Sequence, residues 1–147
     1  MEQQLIEFVG NHPELFLALA IITGLLVWNL LGDQITGVKP LLAQQATLLI
    51  NHDNAIVLDV REENEYTQGH ILNSIHIPLN TLSEKIARLE KYRNRPIIVN
   101  CMSGNRSAQA CRTLKKNGFE DVHNLKGGII AWQNASLPLT KGKNNSK

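Results

Sequence analysis

Pro96-Ile97-Ile98-Val99-Asn100-Cys101-Met102-Ser103-Gly104-Asn105-Arg106-Ser107 is the stretch whose reading decides the fold. Pro96 to Asn100 is a short apolar run of strand length that stops at a cysteine. From Ala108 to Asn117 the pattern is helical, with Lys115-Lys116 in the last turn and Asn117-Gly118 as the stop. A strand that turns through a small loop into a helix aims successive backbone N–H groups, and the positive helix end, at one point. Cys101 stands at the rim of that point, where a thiol is biased toward thiolate, the nucleophilic form. Gly104 gives the loop a backbone conformation closed to most residues. Arg106 adds a permanent charge and a planar fork of donors, fit to hold an oxyanion or to clamp loop carbonyls.

The flanks repeat the same unit. Leu42, Ala46, Leu49 and Ile50 have helical spacing, and Asn51 to Asn54 break that helix. Ala55-Ile56-Val57-Leu58 is a continuous apolar run, as expected of a strand covered on both faces. It ends in Asp59-Val60-Arg61. A short helix is expected at Glu62–Tyr66, a turn at Gly69-His70 and a strand at Ile75–Ile77. Thr81-Leu82-Ser83-Glu84 has the form of a capping box opening a helix with Leu82, Ile86 and Leu89 on one face. Strands alternating with helices predict an α/β fold, a parallel sheet with helices on both faces. In such sheets, sites form beyond the carboxyl ends of the strands, where Asp59 and Cys101 lie.

The first forty residues differ. Leu15 to Gly32 is 18 residues without a charge, which spans roughly 27 Å as a helix. Asn11 is placed to cap it, Pro13 suits a first turn, and Trp28 suits a membrane interface. A signal peptide is disfavoured because residues before the apolar run are acidic and Ala18-Leu19-Ala20 falls inside it. A buried core helix rarely has every face apolar. The expectation is one transmembrane helix at 13–32, after a short N-terminal segment at 1–12. Lys39 is the nearest basic residue, on the C-terminal side. It places the following domain in the cytoplasm, on a single-pass inner-membrane anchor. Thr23, Gly24 and Asn29 could support helix association or a membrane-protein partner. A linker is expected at 33–39, the domain at 40–138, and a polar disordered tail at 139–147.

All 15 Lys and Arg lie at position 39 or later, against 9 acids there, so this part carries 15 − 9 = +6. Without basic runs or interleaved aromatics, no nucleic-acid partner is expected. Two cysteines make no disulfide framework. Cys111 shares a helix stripe with Ala108 and Leu114 and reads as a core residue, with a resolving thiol as the alternative. The five His have no metal-ligand spacing, so no metal or organic cofactor is expected.

Three separated blocks together resemble the rhodanese superfamily, as a single-domain member, over nearly all of residues 40–138. They are Leu58-Asp59-Val60-Arg61-Glu62 with Tyr66 and Gly69-His70-Ile71; Cys101 to Ser107; and Lys126-Gly127-Gly128 with Trp132. The anchor-plus-domain layout resembles the membrane-anchored, YibN-like group of bacterial proteins. The resemblance implies a rhodanese-like three-layer sheet and a sulfurtransferase. Thiolate Cys101 would take the outer sulfur of thiosulfate or a persulfide and pass it to a thiol or to cyanide, a covalent route in two half-reactions. Met102, Ser103, Gly104, Asn105, Arg106 and Ser107 would form the anion-binding loop, with Ser107 capping the helix or bonding the bound sulfur. The resemblance makes Asp59 and Arg61 structural supports that hold neighbouring loops. His70 reads as a turn residue with a satisfied ring. Gly128 would border the pocket. Uncharged Met102, Ser103 and Asn105 leave Arg106 as the loop's one cation, which predicts modest affinity for a dianion.

Two other functions compete. Cysteine phosphatases and arsenate reductases share a Cys, a nest of N–H groups and an Arg, but keep five residues between Cys and Arg. Here there are four, and Asn100 stands where that family usually has His. A shorter ring suits a sulfur atom better than a phosphate. The other competitor is a non-catalytic interaction module at the membrane, which has no need of Cys101, Gly104 and Arg106 together.

Overall fold

The computed structural model describes residues 13–35 and 37–142, with side chains for 13–27 and 37–142. The readings placed on residues 1–12, on the side chains of Trp28 and Asn29, and on 143–147 lie outside the described residues. The chain forms two units, 1–37 and 38–147.

In the first unit, α1 runs Pro13–Ile35, past the expected end at Gly32. Leu17, Leu19, Ile22 and Leu25 are exposed on it. Among the described residues no helix is long and apolar enough to cross a membrane.

The second unit is a five-stranded sheet in the order β1-β5-β4-β2-β3. The strands are β1 (Lys39–Leu41), β2 (Ile56–Asp59), β3 (Ile75–His76), β4 (Ile97–Asn100) and β5 (Val122–Leu125). Every pairing is parallel, with Asp59 opposite Asn100 and Leu58 opposite Ile75. The helices are α2 (Ala43–His52), α3 (Glu63–Gln68), α4 (Leu82–Lys85), α5 (Asn105–Lys116) and α6 (Gly128–Asn134).

Strand alternation divides the core into two layers. Ile56, Leu58, Val60, Ile97, Val99, Cys101 and Val122 pack on one face with Leu82, Leu89, Ala110, Cys111, Leu114 and Phe119. Ala55, Val57, Ile98 and Leu125 pack on the other with Ala43, Ala46, Ile129 and Trp132. The fully buried Leu58, Leu89, Leu114 and Phe119 contribute about 1.5–3 kcal/mol each by leaving water. The predicted three-layer α/β architecture is therefore present.

Several local readings change. Lys39, expected in a linker, begins edge strand β1, and Lys126 N–H bonds to Leu41 O at 2.8 Å. Val122–Leu125 is a strand that the sequence pattern did not mark. Its two central side chains, His123 and Asn124, are polar, and each has a partner, Asp121 and the start of α5 respectively. The capping box at Thr81 does not form. Thr81 Oγ1 bonds to Pro78 O at 3.2 Å, and the expected helix is a four-residue α4 that tightens into a 3-10 helix over Ile86–Tyr92. The polar tail does not begin at 139. Thr140 pairs with His70 through backbone bonds of 2.8 and 2.9 Å, and Gly142 N–H reaches Thr67 O.

Candidate functional site

Adjacent parallel strands β2 and β4 end level with each other, so Asp59 and Asn100 lie side by side and Cys101 follows at once. Cys101 is 1% exposed. Gly104 closes the loop behind it with φ +107, in the left-handed region that favours glycine, and α5 starts at Asn105. The helix thus begins three residues before the expected Ala108. Ser107 lies inside its first turn and is not its cap.

This geometry turns polar hydrogens onto the sulfur. Gly104 N–H donates to Cys101 Sγ at 3.1 Å. Ser107 Oγ lies 3.3 Å from Sγ, 3.0 Å from Gly104 O and 2.6 Å from Asn124 Oδ1. The hydroxyl has one hydrogen to donate. Either Cys101 Sγ or Ser107 Oγ can donate in their contact, and a thiolate at Cys101 can only accept from the hydroxyl. Asn124 Nδ2 also donates to Gly104 O at 3.1 Å, which braces the turn. Burial pushes the Cys101 thiol up, but the Ser107 hydroxyl and the backbone N–H groups of Ser107, Gly104 and Ser103 together outweigh it. The net direction is down from the ordinary value.

The loop is held from below by α6. Ile129 N–H donates to Cys101 O at 2.8 Å, and Ile130 N–H reaches Met102 O at 3.4 Å. Gly128, with φ +59, sits against the backbone of Cys101 and Met102. A Cβ there would meet Cys101 O and would stand 2.6 Å from Met102 O. The expectation that Gly128 borders the pocket becomes more specific: its missing side chain is the space the loop occupies.

Arg106 behaves differently from the expectation. Its Nη1 and Nη2 each donate to a Glu65 carboxylate oxygen at 2.7 Å. The guanidinium holds Glu65 down at about 2. It is therefore bound to α3, not to loop carbonyls, and is not a free anion clamp. Glu65 also accepts from Glu62 N–H at 3.1 Å, capping α3. Glu65 and Asn124 were not marked in the sequence. A partner 41 residues from Arg106 leaves no local spacing signal.

Asp59 and Arg61 form a buried ion pair beside the loop. Arg61 Nη2 lies 2.7 Å from Asp59 Oδ2 and donates to Gly69 O at 2.8 Å, and Nη1 donates to Glu65 O. Asn100 Nδ2 donates to Asp59 Oδ2 at 3.0 Å. Asn100 thus belongs to the brace under the loop. His70 is buried, bonds Tyr66 O through Nδ1 at 3.0 Å, and stacks on the Tyr66 ring with centroids 3.8 Å apart. Cys111 is fully buried, and burial pushes its thiol up to about 12, as suits a packed core residue. Met102, Ser103 and Asn105 complete the loop, and none carries a charge.

The match to known proteins follows the same residues. The family model described as a rhodanese-like domain matches residues 42–135. Protein YibN of Escherichia coli K12 is 35% identical over 143 residues, covering 96% of this chain and 99% of YibN. A sulfurtransferase of Allochromatium vinosum is 34% identical over 91 residues, covering 62% of this chain and 83% of its own. The crystal structure of a rhodanese-related protein from Thermoplasma volcanium, 36% identical, superposes with a TM-score of 0.63 over 69% of this chain and 97% of that one. From Asp59 through the Cys101 loop to Trp132, the chain belongs to the family of rhodanese-like domain proteins.

Proposed function

We propose that the protein is a sulfurtransferase that carries sulfane sulfur as a persulfide on Cys101. The observation that carries this reading is the buried Sγ with Gly104 N–H at 3.1 Å and the Ser107 hydroxyl at 3.3 Å. The Cys101 thiolate attacks the outer sulfur of the donor. A new S–S bond forms, the donor's own bond to that sulfur breaks, and thiosulfate leaves as sulfite or a persulfide leaves as a thiolate. The loop N–H groups are placed to hold the charge on the terminal sulfur. An acceptor thiolate or cyanide then takes that sulfur and Cys101 returns to thiolate. The two half-reactions make ping-pong kinetics the expected pattern.

The test is thiocyanate formation from thiosulfate and cyanide by the full chain and by Cys101→Ser. Activity in the first and none in the second is the expected result. Equal inactivity, with no persulfide on Cys101, would leave a non-catalytic interaction module as the function.

The same proposal places the domain on the cytoplasmic face of the inner membrane, held by the apolar stretch in α1. Leu15 to Gly32 carries no charge, and the alignment with YibN covers nearly the whole chain. Alkaline carbonate extraction of cell membranes checks this. Retention of the full chain in the pellet is expected, and its complete release would remove the anchor.

A further inference from the structure

The charge balance at the Cys101 loop points to a class of sulfur donor. The loop's one cation, Arg106, spends both terminal nitrogens on Glu65 at 2.7 Å. Arg61, at the end of β2 beside the loop strand, is 3% exposed and bound to Asp59, Glu65 O and Gly69 O. Glu62 adds a further negative charge close enough to act on Arg106. Met102, Ser103 and Asn105 contribute none, and Ile130, bonded through its N–H to Met102 O, adds an exposed apolar side chain.

Resting on the sulfurtransferase reading, we infer that Glu65 acts as a charge filter. By neutralising Arg106 it leaves the loop suited to donors of low charge, organic persulfides and thiosulfonates, over dianionic thiosulfate. The bookkeeping of charge gives the reason. Thiosulfate meeting a thiolate gathers three negative charges, which pass on as an enzyme persulfide anion and sulfite dianion. An organic thiosulfonate anion meeting the same thiolate gathers two, and leaves as a sulfinate monoanion. The attacked sulfur, the bond formed and the bond broken are equivalent. The organic donor differs by one charge that the site has no unpaired arginine to meet.

Methanethiosulfonate anion and thiosulfate are therefore the probes, with cyanide as acceptor and the full chain as enzyme. Two readouts are expected. Glu65→Gln removes the charge that neutralises Arg106 and raises the thiosulfate to methanethiosulfonate ratio of kcat/KM by about two- to fivefold, the range of a released ion pair. In the wild type, kcat/KM for thiosulfate does not fall as salt rises from about 20 to 300 mM, because Glu65 and Glu62 offset Arg106 and the loop itself offers no net attraction to screen. The salt arm needs no substitution, so it stands even where Glu65→Gln lowers stability. Lys126, exposed two residues before Gly128, is the cation left to test. Lys126→Gln is expected to leave the donor ratio unchanged. An unchanged ratio in Glu65→Gln, a thiosulfate rate that drops with salt, or a ratio set by Lys126 would each overturn the filter while leaving sulfur transfer intact. Inactivity with both donors would instead overturn the sulfurtransferase reading, and the filter with it.

Discussion

Arg106 and Glu65 meet through two parallel hydrogen bonds of 2.7 Å, joining the first turn of α5 to α3 across 41 residues of chain. This pair ties the start of α5 to α3, and its strength depends on pH. The Glu65 carboxyl falls from 4.5 to about 2 on folding. The native state therefore binds the Glu65 proton less readily than the unfolded chain. The pair's contribution is complete above about pH 5 and disappears as pH falls through about 2. Arg106 is 35% exposed, so solvent screening trims the contribution to about 1 kcal/mol. Urea unfolding of the wild type should weaken between about pH 5 and pH 3 more than that of Glu65→Gln. Parallel pH dependences in the two proteins would contradict the pairing.

Ser107 should set the reactivity of Cys101. Its hydroxyl is the foremost of the groups that draw the thiol down against burial. Ser107→Ala removes it and should raise the midpoint of the pH–alkylation profile with iodoacetamide by about one unit, the scale of one lost hydrogen bond to a charged group. An unshifted midpoint would show that the backbone N–H groups act alone.

Gly128→Ala should damage the loop from beneath. The new methyl would collide with Cys101 O and stand 2.6 Å from Met102 O, at a residue with φ +59. The expected cost is about 1–3 kcal/mol, with loss of sulfur transfer greater than the fraction unfolded accounts for. Normal activity in a folded Gly128→Ala would refute the loop's dependence on that space.

Cys111 should take no part in the chemistry. It is buried in the same apolar layer as Leu114 and Val99, and burial pushes its thiol up to about 12. Cys111→Ala should cost about 1 kcal/mol for the lost sulfur and retain full persulfide loading. In the native wild type, only Cys101 should react with iodoacetamide near neutral pH. A Cys101–Cys111 disulfide after oxidation would restore the resolving-thiol alternative.

Breaking the brace under the loop should be costlier. Asp59→Asn leaves Arg61 buried beside a neutral amide and weakens the bond from Asn100 Nδ2. The expected loss is about 3 kcal/mol in urea unfolding, the scale for an uncompensated buried charge. A loss near zero would mean the carbonyls of Glu65 and Gly69 suffice for Arg61.

Sequence patterning located the parts of the fold that repeat a simple rule. Ile56 to Leu58 and Ile97 to Val99 are apolar because both faces of β2 and β4 are covered. Ala110, Cys111 and Leu114 mark the buried stripe of α5. β1 left no trace because it is a three-residue edge strand with Lys39 and Pro40 exposed. β5 was hidden because His123 and Asn124 interrupt its apolar run, each for a specific partner. The site divides in the same way. Cys101, Gly104 and Ser107 are neighbours in sequence, so their convergence was legible. Glu65 and Asn124 reach the loop only through the parallel alignment of the strand ends, which no local spacing records, and Gly128 was brought to the pocket by the resemblance and not by spacing. The role of Arg106 changed for that reason: its charge was visible, its partner was not.

The central claim is that Cys101 carries the sulfur. Intact mass of the full chain after treatment with methanethiosulfonate or thiosulfate, followed by peptide mapping, measures it directly. The wild type should gain one sulfur atom, mapped to the peptide containing Cys101 and removed by cyanide, while Cys101→Ser gains none. No added sulfur in the folded wild type with either donor, or sulfur found on Cys111 instead, would contradict the account.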